Sequence, residues 1–255
     1  MLKIATWNVN SLPVRLEQVL DWLQHSEVDV LGVQETKVTD DKFPKTIFES
    51  LGYHVTFSGQ KTYNGMALIS RHPIESVITA LPNFEDEQKR VLAATIQGVR
   101  VINLYVPNGS VVGSEKYQYK LSWLMALQDF LKAQLNDYPD CVVMGDFNIA
   151  PEDRDVHDPN AWIGNVLVSP QEREAFASIL SLGFSDGFRL FEQAAGCYSW
   201  WDYRQAAFRR DLGLRIDHIL ISDALKPRCQ SVVIDKGPRG NERPSDHTPV
   251  FVTLM

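Results

Sequence analysis

Apolar residues recur along this chain with two different periods. Short runs at Leu2 to Trp7, Val30 to Gln34, Met66 to Ser70, Val91 to Ile96 and Cys141 to Gly145 read as buried strands. Further strands are expected at His54 to Phe57, Val101 to Tyr105, Ile216 to Ile221 and Val250 to Leu254. Elsewhere the spacing lengthens to that of a helix. Leu16, Val19, Leu20 and Leu23 share one face of a helix that opens at Ser11 and Pro13 and runs to about His25. A long helix is expected from about Lys116 to Leu135, with Tyr117, Tyr119 and Trp123 at helical spacing and read as core. Another starts at Ser169, where Pro170 takes the first helical position, Glu172 completes a capping box, and Gly183 is placed to end it. Such alternation fits helices packed outside sheet layers, and the number of strands favours two sheets face to face. Periodicity leaves the strand pairing open.

Composition narrows this picture. With 255 residues, no Gly/Ser linker and no internal repeat, the chain reads as one domain over residues 1–255. A hydrophobic content of 44% with 22% charged residues suits a core-forming protein and argues against disorder. The start, MLKIATWNVN, has no basic region followed by an apolar stretch, and no segment has the apolar length of a membrane span, so the expected compartment is cytoplasmic. Cys141, Cys197 and Cys229 lack CxxC spacing and are read as free thiols rather than a disulfide framework or thiolate metal site. A net charge of −7 stands against a nucleic-acid partner. Residues 189–243, however, hold ten Lys/Arg against seven Asp/Glu. That excess fits either a basic face on an acidic enzyme or scattered surface charge.

Polar residues interrupt the apolar strands at particular places. Asn8 and Asn10 follow the first strand, Glu35 the second, and Asp146 and Asn148 the strand from Cys141; Asp217 with His218 and Asp246 with His247 come later. Singly, each is more often a turn former, a helix cap or a surface charge. Together they would converge on one rim of a sheet assembly, a candidate metal and acid/base site. Carboxylate and carboxamide oxygens suit Mg²⁺ or Mn²⁺, whereas zinc would want more His or Cys. His25, His54, His157 and His218 receive no role.

The segments TWNVNSL (6–12), QETK (34–37), NLYVPNG (103–109), GDFNIAPEDRDV (145–156), SWWDYR (199–204), GLRIDHIL (213–220) and RPSDHTPV (243–250) resemble the exonuclease III and abasic-site endonuclease family, within the DNase I-like nucleases and phosphatases. The matches run in order over nearly the whole chain. The resemblance implies an α/β fold, a four-layer α/β sandwich of two packed mixed β-sheets flanked by helices. It also implies a hydrolase that cleaves phosphodiesters of double-stranded DNA carrying abasic sites or blocked 3′ ends, working as a monomer with Mg²⁺ and with Mn²⁺ as a substitute.

By the same resemblance, Glu35 is the main metal ligand, with Asn8, Asn10 and Asp246 near the ion. Asp146 orients or deprotonates the attacking water, and Asn148 stands on the same side if the strand extends that far. His247 touches the phosphate and is fixed by Asp217, while Tyr105 contacts the scissile phosphate. Tyr63, Asn64, Arg90 and Lys116 fall in segments that resemble DNA-backbone-contacting loops. Trp200, Leu214 and Ile216 match the apolar pocket for a base-free sugar. Leu167 stands where members that cut well at abasic sites tend to carry Gly or Ser, so 3′-end trimming is expected to outweigh abasic-site incision. Two alternatives stand beside this: an enzyme of the same superfamily acting on a non-DNA phosphate ester, and a non-catalytic DNA-binding module.

Overall fold

Strand β1 (Leu2–Asn8) is apolar on both faces because it is central to a sheet and covered on each side. The computed structural model, which describes residues 1–255, builds two six-stranded sheets around it and its counterpart β8. In chain order the elements are β1, α1 (Leu12–Ser26), β2 (Val30–Gln34), α2 (Lys45–Ser50), β3 (His54–Ser58), β4 (Met66–Ser70), β5 (Glu75–Ile78), β6 (Val91–Ile96) and β7 (Val99–Tyr105). Then follow α3 (Glu115–Asp137), β8 (Cys141–Asp146), α4 (Pro159–Trp162), α5 (Pro170–Leu180), β9 (Phe184–Asp186), β10 (Trp200–Trp201), β11 (Gly213–Leu214), β12 (Asp217–Ser222), β13 (Cys229–Ile234) and β14 (Val250–Leu254).

One sheet runs β13-β14-β1-β2-β4-β3 and the other β5-β6-β7-β8-β12-β9. Each is mixed. The pairs β1/β2 and β7/β8 are parallel and bridged by α1 and α3, and the remaining pairs are antiparallel. The inner faces meet in one cluster that includes Ile4, Leu68, Leu92, Val142, Met144 and Ile219. The outer faces are covered separately, α1 packing Val19, Trp22 and Leu23 onto the first sheet, and α3 and α5 packing Leu124, Leu127 and Phe176 onto the second. This is the four-layer sandwich that the resemblance implies.

The sheets approach closely at Gly32, where a Cβ would stand 2.5 Å from Met144 Cε. Beside it, Gln34 Nε2 donates to Asn103 Oδ1 (2.6 Å) and Thr6 Oγ1 (2.8 Å), and Asn103 Nδ2 donates to Val33 O (3.2 Å) and Ala67 O (3.0 Å). This buried amide pair fixes how the two sheets register just beneath the ends of β1 and β2.

Several elements depart from the pattern-based expectation. The edge strands β5 and β13 and the short α2 and β9 lack a clear apolar period, because much of each faces solvent or spans only a few residues. Ser11 does not cap α1 with its side chain; its φ is 98°, and Ser11 N and Leu12 N donate instead to Glu35 O (2.8 Å) and Thr36 O (3.0 Å). Strand β8 ends at Asp146, and Asn148 lies beyond it with φ 50°, so strand alternation does not set its direction.

Candidate active site

Strand register assembles half of the site. Asp146, the last residue of β8, lies opposite Tyr105 on β7 and Asp217 on β12, so three polar side chains line up across adjacent strands. The other sheet supplies the rest. Asn8 pairs with Gln34 at the ends of β1 and β2, Asn10 and Glu35 follow in the loops zipped together by Ser11 and Leu12, and Asp246 and His247 precede β14, the other neighbour of β1.

The two halves touch through hydrogen bonds. Asn8 Nδ2 donates to Asp146 Oδ2 and to Glu35 Oε1, both at 2.9 Å, while its oxygen accepts from Asn10 N at 3.0 Å. Tyr105 donates its hydroxyl to the same Glu35 Oε1 at 2.8 Å. His247 Nδ1 lies 2.9 and 3.1 Å from the two oxygens of Asp217, and its Nε2 stands 3.6 Å from Asp146 Oδ2. Asp146 Oδ1 accepts from Asn148 N at 2.9 Å, whereas the Asn148 side chain is turned to Val106 O (3.0 Å) and Asn108 (3.2 Å).

Burial makes these charges strongly interdependent. It pushes the Asp146 carboxyl up to about 7, against the opposing pull of His247. Burial alone would lower His247, but Asp217 and Asp146 beside it outweigh that and push it up to about 10. The Tyr105 phenol is held protonated by burial and by the Glu35 and Asp146 carboxylates. At neutral pH the site therefore presents an imidazolium, an intact phenol and a carboxylate poised near its own titration.

Two groups of oxygens come into question for a metal. Asp146, Asp217 and His247 place ligand atoms within 4.8 Å of one another. That triplet is closed by its own ion pairs, with both His247 nitrogens facing carboxylates, which fits proton handling. Around Glu35 the picture differs. Lys37 Nζ lies 2.8 Å from Glu35 Oε2 and donates to Asn10 Oδ1, so these two oxygens already converge on one cation. Asn10 Nδ2 donates in turn to Asp246 Oδ1 at 3.0 Å. Oxygen donors with excess negative charge fit a hard divalent ion.

Beside Tyr105 opens a groove of about 660 Å³, and Tyr63, Asn64, Arg90 and Lys116 all line it. Arg90 lies over the Tyr105 ring at 4.6 Å and donates to Tyr105 O, so it braces that residue as well as charging the groove. Tyr119, expected in the core, is half-buried and lines the groove with its hydroxyl on Asp86 (2.6 Å). On another side, Leu167, Leu214 and Ile216 form a small buried cluster with Ala150 and Val156, and Trp200 packs against it. Every residue singled out for the site thus falls at the carboxylate centre, in the groove or in this apolar cluster.

Other contributors went unrecognised in the sequence. Lys120 is fully buried on α3 and donates to Asn108 O (3.1 Å), Asn148 O (2.7 Å) and Glu172, while Glu172 also takes Leu167 N (3.0 Å). One ammonium thereby ties the loops after β7 and β8 to α5 and, through Glu172, to the backbone of Leu167. Its signal was a lone lysine on the apolar face shared by Tyr117, Leu124, Leu127 and Leu131. Arg239 packs over Phe208 and donates to Ser245 O at 2.8 Å, and Ser245 Oγ donates to Asn8 O at 2.7 Å. With Arg215 and Arg239 both buried, the charge excess of residues 189–243 is not all on the surface.

A profile of the Endonuclease/Exonuclease/phosphatase family matches residues 5–247. The chain is 35% identical to exodeoxyribonuclease III of Haemophilus influenzae, with 98% of each covered, and 32% identical to an exodeoxyribonuclease of Bacillus subtilis, with 99% of each covered. Among solved structures it superposes with a TM-score of 0.98 on the Neisseria 3′ phosphatase NExo bound to product DNA hairpin, at 45% identity over the full length of both. An AP endonuclease from Archaeoglobus fulgidus superposes at 0.96, with 43% identity over 100% of this chain and 99% of that one.

Proposed function

The chain belongs to the endonuclease/exonuclease/phosphatase family, and we propose that within it this protein is a Mg²⁺-dependent 3′-phosphatase and 3′-phosphodiesterase acting mainly on blocked 3′ ends of duplex DNA. It is a DNA repair nuclease, akin to exodeoxyribonuclease III over its whole length. The observation that carries the finer reading is the junction of the two sheets. There Asp146, Asp217 and His247 form a proton-handling group, tied through Asn8 to an oxygen-rich pole at Glu35.

Phosphodiester hydrolysis needs an in-line water, relief of charge on the phosphate and help for the departing oxygen. Asp146 accepts the proton of that water, its carboxylate held by Asn8 Nδ2 and Asn148 N. His247, kept protonated and oriented by Asp217, donates Nε2–H to a phosphate oxygen. Tyr105 reaches the same phosphate with a phenol that stays intact at neutral pH. Glu35 is the principal holder of a Mg²⁺ ion, with Asn10 and Asp246 adjacent and Asn8 spacing Glu35 from Asp146; Mn²⁺ fits the same donors. When bound, the ion supplies Lewis-acid relief of the phosphate charge and of the leaving 3′-oxygen.

Tyr63, Asn64, Arg90 and Lys116 hold the DNA backbone in the groove beside Tyr105, while Trp200, Leu214 and Ile216 wall the space for a base-free sugar. Leu167 narrows that space. Both sheets of one chain complete the centre, which supports a single domain and a monomer as the working unit. Three unpaired cysteines, Cys141 among them buried, suit the reducing cytoplasm. A non-DNA phosphate ester is the weaker substrate, since the groove and apolar wall extend well beyond a lone phosphate.

The test uses end-labelled duplexes bearing a 3′-phosphate, a recessed 3′-OH or an internal abasic analogue. Expected are removal of the 3′-phosphate as the fastest reaction, its loss in EDTA and its return with Mg²⁺. Full activity in metal-free buffer, or faster release of phosphate from inositol phosphates, would overturn the reading.

A further inference from the structure

Trp200 lies between two parts of the site. One side of its side chain packs against the apolar cluster of Leu167, Leu214 and Ile216. Its polar edge points elsewhere, since indole Nε1 donates to Asp246 Oδ2 at 3.0 Å, while Asn10 Nδ2 holds Oδ1 of the same carboxylate at 3.0 Å. The backbone makes this contact a fixed one. Trp200 bridges His247 in antiparallel register, Trp201 N donates to Asp246 O (3.0 Å), and Thr248 N donates to Ser199 O (2.9 Å). On its other edge Trp200 pairs with Leu214 in the β10–β11 ribbon. The backbone of Trp200 is therefore paired on both edges, and the carboxylate is gripped through both oxygens.

A phenyl ring in its place would keep an apolar wall and lose the N–H. We propose that Trp200 is a positioning residue for Asp246, fixing through its indole N–H the carboxylate that stands beside the metal pole. A sugar seated against the indole then presses on the same ring that orients Asp246, so fit in the pocket and completeness of the cation site are linked. This rests on the reading of Asp246 as a carboxylate adjacent to the bound divalent ion. Groups that orient a ligand from behind it typically contribute about 10- to 100-fold to metal affinity.

The test is Mn²⁺ binding to the free protein, followed by water-proton relaxation, for the parent chain and for Trp200→Phe. Trp200 is only partly buried, and a matching melting transition confirms that the variant is folded. Expected is Mn²⁺ affinity weakened by about tenfold. Unaltered Mn²⁺ affinity, including the case where only DNA affinity falls, overturns the proposal and leaves Trp200 as a wall. A parent chain that binds no Mn²⁺ would instead strike the metal reading itself.

Discussion

Leu167 holds a backbone conformation that its own side chain disfavours. Its φ is 75°, in the left-handed region, where a residue with a Cβ is strained by roughly 1–2 kcal/mol and glycine is not. Two hydrogen bonds keep it there, Leu167 N to Glu172 Oε1 and Ala150 N to Leu167 O (2.7 Å), and its side chain is buried against Leu214 and Ile216. Replacement by glycine would relieve the backbone while emptying part of the wall. Leu167→Gly is expected to raise abasic-site incision relative to 3′-phosphate removal by about fivefold to a hundredfold, the rate equivalent of relieving ~1–3 kcal/mol of crowding. An unchanged ratio in a folded variant, measured on matched end-labelled duplexes, would remove Leu167 as the determinant. The residue's position was legible from its distance to the Ser169 capping box, which forms as expected with Ser169 Oγ and Glu172 bonded reciprocally. Its positive φ was not, because it depends on Glu172 and Ala150 closing the loop from either side.

Between elements, a buried ionic cluster ties β9 and β12 to the loop after β8. Arg215 donates to Asp155 (2.7 Å) and Asp186 (2.7 Å), Arg189 also reaches Asp155, and His218 sits within this group. Because Arg215 can only donate, His218 Nδ1 must carry its lone pair (3.0 Å), and Nε2–H donates to Ile149 O at 2.8 Å. Burial and the Arg215 charge lower His218 from 6.5 to about 4. The unfolded chain therefore takes up this proton first, and the stability that the neutral ring provides above pH 6.5 is lost as pH falls toward 4. Between pH of about 7 and about 5, the loss from this one group is about 2 kcal/mol. Denaturant titrations of the parent chain and His218→Gln at both values should show the smaller pH dependence in the variant; equal slopes would refute the assignment. From sequence alone His218 had no role, since its meaning comes from the hydrogen bond with Arg215 three residues earlier and from Asp155 and Asp186, which are distant in sequence and brought there only by the fold. The same holds for Asn148. Alternation predicted its direction on a strand that in fact ends at Asp146, and the Lys120 ammonium and Val106 carbonyl orient it instead.

At the scale of the molecule, the centre exists only because strand ends from two sheets packed face to face meet at one rim. Apolar period and strand-end polar residues were enough to place Asn8, Glu35, Asp146, Asp217 and His247 on that rim, since each ends or borders a strand with strong burial. The edge strands β5 and β13 escaped because half-solvated strands carry weak periodicity. The register that sets Tyr105 and Asp217 opposite Asp146 is a property of pairing, which no local pattern encodes. Asp146 stands on one sheet and is met from the other by Asn8 and by His247, which Asp217 on Asp146's own sheet holds in place. The most direct test of the account is therefore the single-turnover rate of Asp146→Asn on a nicked duplex carrying a 3′-phosphate, at saturating Mg²⁺ and with DNA affinity measured in parallel. The account predicts a fall of roughly 10²- to 10⁴-fold with DNA affinity preserved, the scale of a lost proton acceptor. A variant that releases phosphate as fast as the parent chain would contradict it.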